Sequence, residues 1–285
     1  METLQIGSAK LTWLNGGVTH LDGGSMFGVV PKALWAKKYP HNDKNQIELR
    51  TDPILIELDG SNLLIDTGIG LNKLSDKQKR NFGVLEETNI EASLSELELT
   101  VNDIDIVLMT HLHYDHANGL TKLVGEEKYE SVFKNAKIFV SQIEWNEMQQ
   151  PNIRSINTYW EKNWRPVVDQ VYPFREKIEV LPGLTMVHTG GHSEGHAIIR
   201  FREGEQGFIH MADIMPTHAH QNKLWALAYD DYPVQSVLQK EYWMEAGYKE
   251  KVWFTFYHDA YYRAVRFNEA GEKIDHVERL RYSYD

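Results

Sequence analysis

Short apolar runs punctuated by Gly, Pro, Asn and Asp constrain this chain more than any other feature. They cover residues 53–58 (PILIEL), 62–66 (NLLID), 104–110 (IDIVLMT), 136–140 (AKIFV), 184–188 (LTMVH), 196–201 (HAIIRF), 207–211 (GFIHM) and 252–256 (VWFTF). Runs of this length and composition read as strands. Helical patterns lie between them. Residues 89–98 follow a Thr88-x-x-Glu91 capping box and set Ile90, Leu94 and Leu97 on one face; Ser141 and Glu144 form a second box before Trp145 and Met148. Pro233 stands where a helix through Val237, Tyr242 and Met244 begins. Alternation of the two element types predicts an α/β layered architecture. With no internal repeat and no Ser/Pro-rich linker, residues 1–285 are read as one domain.

Composition narrows the function. A formal charge of -11 argues against a general phosphate-backbone binder, so no nucleic-acid partner is expected. The chain has no cysteine, which excludes disulfide scaffolds, thiolate metal sites and cysteine nucleophiles. No apolar run approaches the roughly 20 residues of a membrane helix, and METLQIGSAK lacks the regions of a secretory signal; a cytoplasmic protein without a membrane partner is expected. Residues 15–45 are the least regular stretch. Gly16, Gly17, Gly23, Gly24 and Gly28 are interspersed there with Met26, Phe27, Val29, Val30 and Trp35. Two readings stand: a buried amino-terminal hairpin, or a flap or subunit-contact segment over a ligand.

The sharpest chemical signal is His111-Leu112-His113-Tyr114-Asp115-His116, directly after the run at 104–110. A buried strand that ends in a turn delivers side chains to the sheet edge where α/β proteins build sites. In an extended chain His111 and His113 project on one side, while Asp115 and His116 lie past the bend. These four ligand-type side chains can serve two adjacent metal ions. Further candidates follow other runs: His192 in TGGHSEGH, Asp213 after GFIHM, and His258 after VWFTF. Each alone has a plain alternative as a turn-capping residue.

In order and spacing, HxHxDH, a Gly-His element, a lone Asp and a late lone His resemble the metallo-β-lactamase superfamily. LLIDTG at 63–68 resembles its first motif. Longer stretches, among them LTWLNGGVTHLDGG, HMADIMPTHAHQN and FYHDAYYRA, are similar to the YtnP type of quorum-quenching lactonase. The resemblance implies a four-layer αβ/βα sandwich of two mixed sheets flanked by helices. It assigns His111, His113 and His192 to one metal, Asp115, His116 and His258 to the other, and Asp213 to both, with Asp66 orienting a ligand histidine. It also implies two divalent ions, zinc first, with manganese, iron or cobalt open on the same N/O donors.

The implied reaction is the opening of an N-acyl homoserine lactone, or a similar signal lactone, by a metal-bridging hydroxide. Asp115 or Asp213 would carry a proton to the leaving alkoxide. Met26, Phe27, Trp35 and Trp225 are candidates for contact with the acyl tail, and a homodimer is expected. The alternatives are a phosphotriesterase, arylesterase or thioesterase on the same metals, and a non-hydrolytic binding or redox protein. The missing cysteine at Asp213 separates the chain from the superfamily's main antibiotic-hydrolysing branch. One departure concerns Pro216, where many lactonases of the superfamily place a carbonyl-binding tyrosine; Tyr114, Tyr229 and Tyr257 are candidate substitutes. His218 and His220 are read first as solvent-exposed or hydrogen-bonded structural residues, with a place behind a metal ligand or against substrate as the alternative; His20, His41, His188, His196, His210 and His276 are read as structural.

Overall fold

A computed structural model describes residues 1–280. Every apolar run lies on a strand. The continuous character of these runs has a simple cause: both faces of the strand are covered. Ile54, Ile56 and Leu58 enter one apolar cluster and Leu55 another, and Leu63 and Ile65 alternate with Leu64 in the same way.

One seven-stranded sheet runs, edge to edge, through Thr3–Ile6, Ala9–Trp13, Ile54–Leu58, Ser61–Ile65, Ile106–Leu108, Lys137–Ser141 and Val171–Phe174. Its second half, from Ser61–Ile65 onward, is parallel. A second sheet of seven strands orders Lys177–Leu181, Leu184–His188, Ala197–Glu203, Gln206–His210, Trp253–Thr255, Tyr262–Phe267 and Lys273–Glu278. It is antiparallel except where Gln206–His210 pairs with Trp253–Thr255. Leu11, Ile56 and Leu63 of the first sheet meet Met186, Ile199 and Phe208 of the second in a shared core. The outer face of the first sheet packs on Leu94 and Met148, and that of the second on Met244. These are the four layers, αβ/βα, that the family resemblance implied.

The helix starts differ in detail from expectation. The helix Ile90–Glu96 is capped by Asn89, whose side chain accepts from Ala92 N. Thr88 is drawn away because its hydroxyl accepts from Ile69 N and donates to Gly16 O. Ser141 does cap Gln142–Gln149, but the Glu144 carboxylate turns into the protein instead of back to the cap. Pro233 opens the helix Pro233–Glu250, which buries Ser236, Lys240, Met244 and Gly247 and leaves Tyr242 exposed. Among the described residues no helix is long and apolar enough to cross a membrane.

Residues 15–45 are ordered on a third sheet, in which Val18–Asp22 pairs with Gln46–Arg50 and Val84–Glu86. Gly16 is required by proximity, since a Cβ there would lie 1.6 Å from Thr51 O. Phe27, Trp35 and Tyr39 are buried with Leu49, Leu227 and Ala260. Phe27 stacks between Trp35 and His220, at centroid distances of 4.9 and 4.5 Å.

A buried ionic knot joins this third sheet to the second. Asp52 accepts from Gly16 N at 2.7 Å, from Arg50 Nε at 3.1 Å and from Arg263 Nη1. Burial opposes its ionisation, yet Arg263 and Arg50 together hold its carboxyl below the usual carboxylate range. The knot also fixes Arg50, whose main chain pairs with His258. Removing one partner of such a buried pair strands the other charges. Asp52→Ala should therefore cost about 3–5 kcal/mol in urea unfolding. Because the folded-state pKa is depressed, this contribution is complete above the unfolded carboxylate pKa of about 3.9 and is lost as pH falls below it. The gap between wild type and variant should narrow over that acid range, and a gap that persisted unchanged at lower pH would contradict the assignment.

Candidate metal centre

Parallel pairing brings the carboxyl ends of several strands to one edge. Ser61–Ile65 ends at Asp66 and its parallel neighbour Ile106–Leu108 runs into His111. Gln206–His210 leads to Asp213 and its parallel neighbour Trp253–Thr255 leads to His258. The loop 189–196 adds His192, and Ala197 N donates to Thr110 O at 2.8 Å, tying the two sheets together beside the site.

The seven candidate ligands converge. Metal-compatible groups form from His111, His113 and His192, from His111, His116 and Asp213, and from Asp115, His116 and His258, with donor atoms within 4.8 Å of one another in each group. Asp213 lies at the centre with its oxygens divided between them. Its Oδ2 is 3.3 Å from His192 Nε2 and 3.9 Å from His111 Nε2. Its Oδ1 is 3.2 Å from His258 Nε2 and 3.4 Å from His116 Nε2. Asp115 Oδ2 lies 3.8 Å from His116 Nε2 and 3.7 Å from His258 Nε2.

The far side of four of the five rings is held by the protein. His116 Nδ1 donates to Asp66 Oδ2 at 2.8 Å, and the same carboxylate accepts from Thr110 N and Oγ1. His111 Nδ1 donates to Thr110 Oγ1 at 3.0 Å. His258 Nδ1 donates to Arg50 O at 2.7 Å, and His192 Nδ1 to Asp230 Oδ1 at 2.9 Å. These bonds leave each Nε2 with a lone pair aimed inward. His116 Nε2 then lies 3.1 Å from His258 Nε2, and His192 Nε2 lies 3.0 Å from His113 Nδ1. Lone pairs at such separations repel unless a proton or a cation lies between them. His111 Nε2 and Asp213 Oδ1 are buried and make no hydrogen bond. Orphaned acceptors inside a nitrogen and oxygen donor set fit divalent metal ions.

Backbone geometry at the site is unusual in the same places. Asp66 and Ala212, neither of them glycine, have φ of 51° and 44°. Such conformations cost of order 1–3 kcal/mol and persist where surrounding contacts over-determine them. Here Thr110 fixes Asp66, and Asp213 N, just after Ala212, donates to His196 Nε2 at 3.2 Å. His196 in turn donates from Nδ1 to Thr189 Oγ1. Burial holds His111, His113 and His196 well below the usual imidazole range, as neutral ligands and acceptors must be. Burial also opposes protonation of His116, but Asp213, Asp115 and Asp66 raise it well above that range. His192 is likewise raised by Asp213 and Asp230 against burial.

The donors floor a cavity of about 490 Å³. Leu21, Met26, Leu49 and Leu227 give it an apolar wall, and Tyr114 and Tyr229 also line it. Of the residues proposed for acyl contact, Met26 reaches the cavity; Phe27 and Trp35 are buried behind it, and Trp225 packs on their cluster. Phe27 and Trp35 satisfy each other by stacking, which the sequence does not reveal. The Tyr257 ring stacks on His116 and its hydroxyl donates to Asp115 O at 2.7 Å, so it braces the ligand loop. His218 donates to Asp259 and His220 to Met26 O; neither lines the cavity. Sequence reasoning missed Asp230 as the partner of His192, because nothing in the loop LAYDDYP marks it.

Asp230→Asn should weaken metal binding about 10- to 100-fold, the usual effect of removing a carboxylate that orients a ligand histidine. Chelator competition measures it, and unchanged affinity would remove Asp230 from this role. Because His116 and His192 bind protons more tightly than free imidazole, metal uptake should release protons and weaken as pH falls. A pH-stat titration with metal reads this directly; uptake without proton release would contradict it.

Matches to known proteins bear on the family. The family model of the metallo-beta-lactamase superfamily matches residues 48–252. A probable metal-dependent hydrolase from Staphylococcus aureus superposes with a TM-score of 0.94 at 48% identity, covering 98% of this chain and all of that one. AidC, a dizinc quorum-quenching lactonase solved with a product, superposes with a TM-score of 0.78 at 16% identity over 99% and 98% of the two chains, a likeness of fold. In sequence, the N-acyl homoserine lactonase AiiA of Bacillus thuringiensis subsp. kurstaki is 25% identical over 59% of this chain and 64% of its own. A probable metallo-hydrolase of Mycobacterium bovis is 22% identical over 66% of each. The chain spans just under two thirds of the length of these curated relatives. With residues 48–252, more than half of its length, matched by the family model, the chain belongs to the metallo-β-lactamase superfamily.

Proposed function

We propose that this protein is a metal-dependent hydrolase, a binuclear lactonase that opens N-acyl homoserine lactones or similar signal lactones. The observation that carries the reading is the division of Asp213, whose two carboxylate oxygens face separate histidine sets on the floor of a cavity with an apolar wall. Divalent ions held there supply Lewis acidity towards a carbonyl and bring the pKa of water towards neutrality. Distant relatives that are named N-acyl homoserine lactonases support the choice of substrate.

The chain's own groups have distinct tasks in this reading. Leu21, Met26, Leu49 and Leu227 receive the acyl tail. Burial, with Asp115 nearby, pushes the Tyr114 phenol well above its usual range, and burial also raises Tyr229. Both hydroxyls keep their protons at neutral pH and can donate to a substrate carbonyl, replacing the tyrosine absent at Pro216. Tyr114 is held rigidly, with its ring against Phe82 at 4.2 Å and Trp160 at 5.1 Å. Asp115, at the cavity surface, or Asp213 can return a proton to the leaving alkoxide.

The test compares kcat/KM of the metal-loaded enzyme for an acyl homoserine lactone, a phosphotriester, a bis-aryl phosphodiester and a thioester. The lactone should lead, and Asp213→Ala should abolish its turnover. A clear advantage for the phosphotriester or thioester would replace the lactone reading with that class.

A further inference from the structure

Glu144 is a fully buried carboxylate beside the metal centre that is not among its candidate ligands. It is 0% exposed and has no basic partner among its hydrogen bonds. Its Oε1 accepts from Leu112 N at 2.7 Å and from the Tyr159 hydroxyl at 2.9 Å. Its Oε2 accepts from Ser193 Oγ at 2.6 Å. Leu112 lies between His111 and His113, and Ser193 follows His192. One carboxylate therefore joins the loop after the strand Ile106–Leu108 in the first sheet to the loop after Leu184–His188 in the second. The Tyr159 ring extends the contact, lying 5.3 Å from the His113 ring.

The start of the helix Gln142–Gln149 reinforces the joint. Ser141 Oγ accepts from Glu144 N at 3.0 Å and donates to Gly195 O at 2.6 Å. The helix lies so close to the loop that a Cβ on Gly195 would fall 1.9 Å from Glu144 N. Further along, Glu147 Oε2 accepts from Glu194 N at 3.0 Å. A surface helix needs none of these bonds to its neighbours, and an apolar residue at 144 would cost less to bury. A buried carboxylate satisfied by donors from two ligand loops and a supporting tyrosine fixes the distance between those loops.

We propose that Glu144 is a positioning residue that sets the spacing of the His111, His113 and His192 group. It acts on the donors from the two sheets that must meet on one metal ion. The inference rests on the metal reading of the site but not on the identity of the substrate. A loosened joint would enlarge the gap between His113 and His192, while Asp115, His116 and His258, which are braced by Asp66, Arg50 and Tyr257, would keep their arrangement.

The experiment measures metal stoichiometry and stepwise affinity by chelator competition, with cobalt spectra of each loaded form, for wild type, Glu144→Ala, Glu144→Gln and Ser193→Ala. Phe208→Leu, a core substitution away from the joint, serves as a control for lost stability. Glu144→Ala should weaken one of two binding steps about 10- to 100-fold and leave the other near wild type. Glu144→Gln, which keeps an acceptor for Leu112 N, should recover much of the loss. Ser193→Ala, which cuts one leg and disturbs packing least, should weaken the same step by a smaller factor, and supplies the answer should Glu144→Ala fail to fold. The inference is overturned if both steps weaken together in proportion to thermal stability, as in the control, or if neither changes. Wild-type protein that takes up no metal would overturn the metal reading and this inference with it; normal wild-type uptake with unaltered variants would overturn this inference alone.

Discussion

A buried carboxylate surrounded by imidazoles is the constraint on which the rest of this structure turns. Asp213 is 6% exposed, and four histidine Nε2 atoms approach its oxygens within 3.9 Å. A charge so far from water must be compensated where it sits. Burial opposes its ionisation, but His258, His116 and His192 outweigh that and hold its carboxyl well below the ordinary range. Each of those rings is oriented from behind by an acceptor on another segment: Arg50 O, Asp66 and Asp230. The strained φ of Ala212 and the His196 contact to Asp213 N serve the same placement.

Topology makes this convergence achievable. The first sheet becomes parallel at Ser61–Ile65, where the ligand-bearing edge begins, and the second has its parallel pair between the strands that lead to Asp213 and His258. Parallel neighbours end at the same edge, so residues far apart in sequence meet without long excursions of chain. Contacts between the sheets are then needed to hold the two halves in register. Ala197 N to Thr110 O, the Asp52 knot and the Glu144 joint all bridge separate segments close to ligand residues.

Much of this was legible in the sequence because the relevant signals are local. Strand runs are visible as apolar segments, and each candidate ligand follows its strand within a few residues. His111 to His116 therefore stood out, as did His192, Asp213 and His258. What the sequence could not show depends on partners distant along the chain. Thr88 carries a good capping pattern, yet Ile69 and Gly16 claim its hydroxyl and Asn89 caps the helix. Glu144 has the position of a capping-box glutamate, but donors 32 and 49 residues away draw it inward. Phe27 and Trp35 suit a ligand channel by composition; their stacking places them behind Met26. Asp230 is an ordinary loop aspartate until the fold sets it against His192.

The central claim, that Asp213 joins two separate metal sites, is tested most directly by a crystal structure of the zinc-loaded protein with anomalous data collected at the zinc edge. The account predicts two peaks per chain about 3.5–4 Å apart. One should lie among His111, His113 and His192 and the other among Asp115, His116 and His258, with one Asp213 oxygen turned to each. A single peak at full loading, or two peaks of which only one touches Asp213, would contradict it.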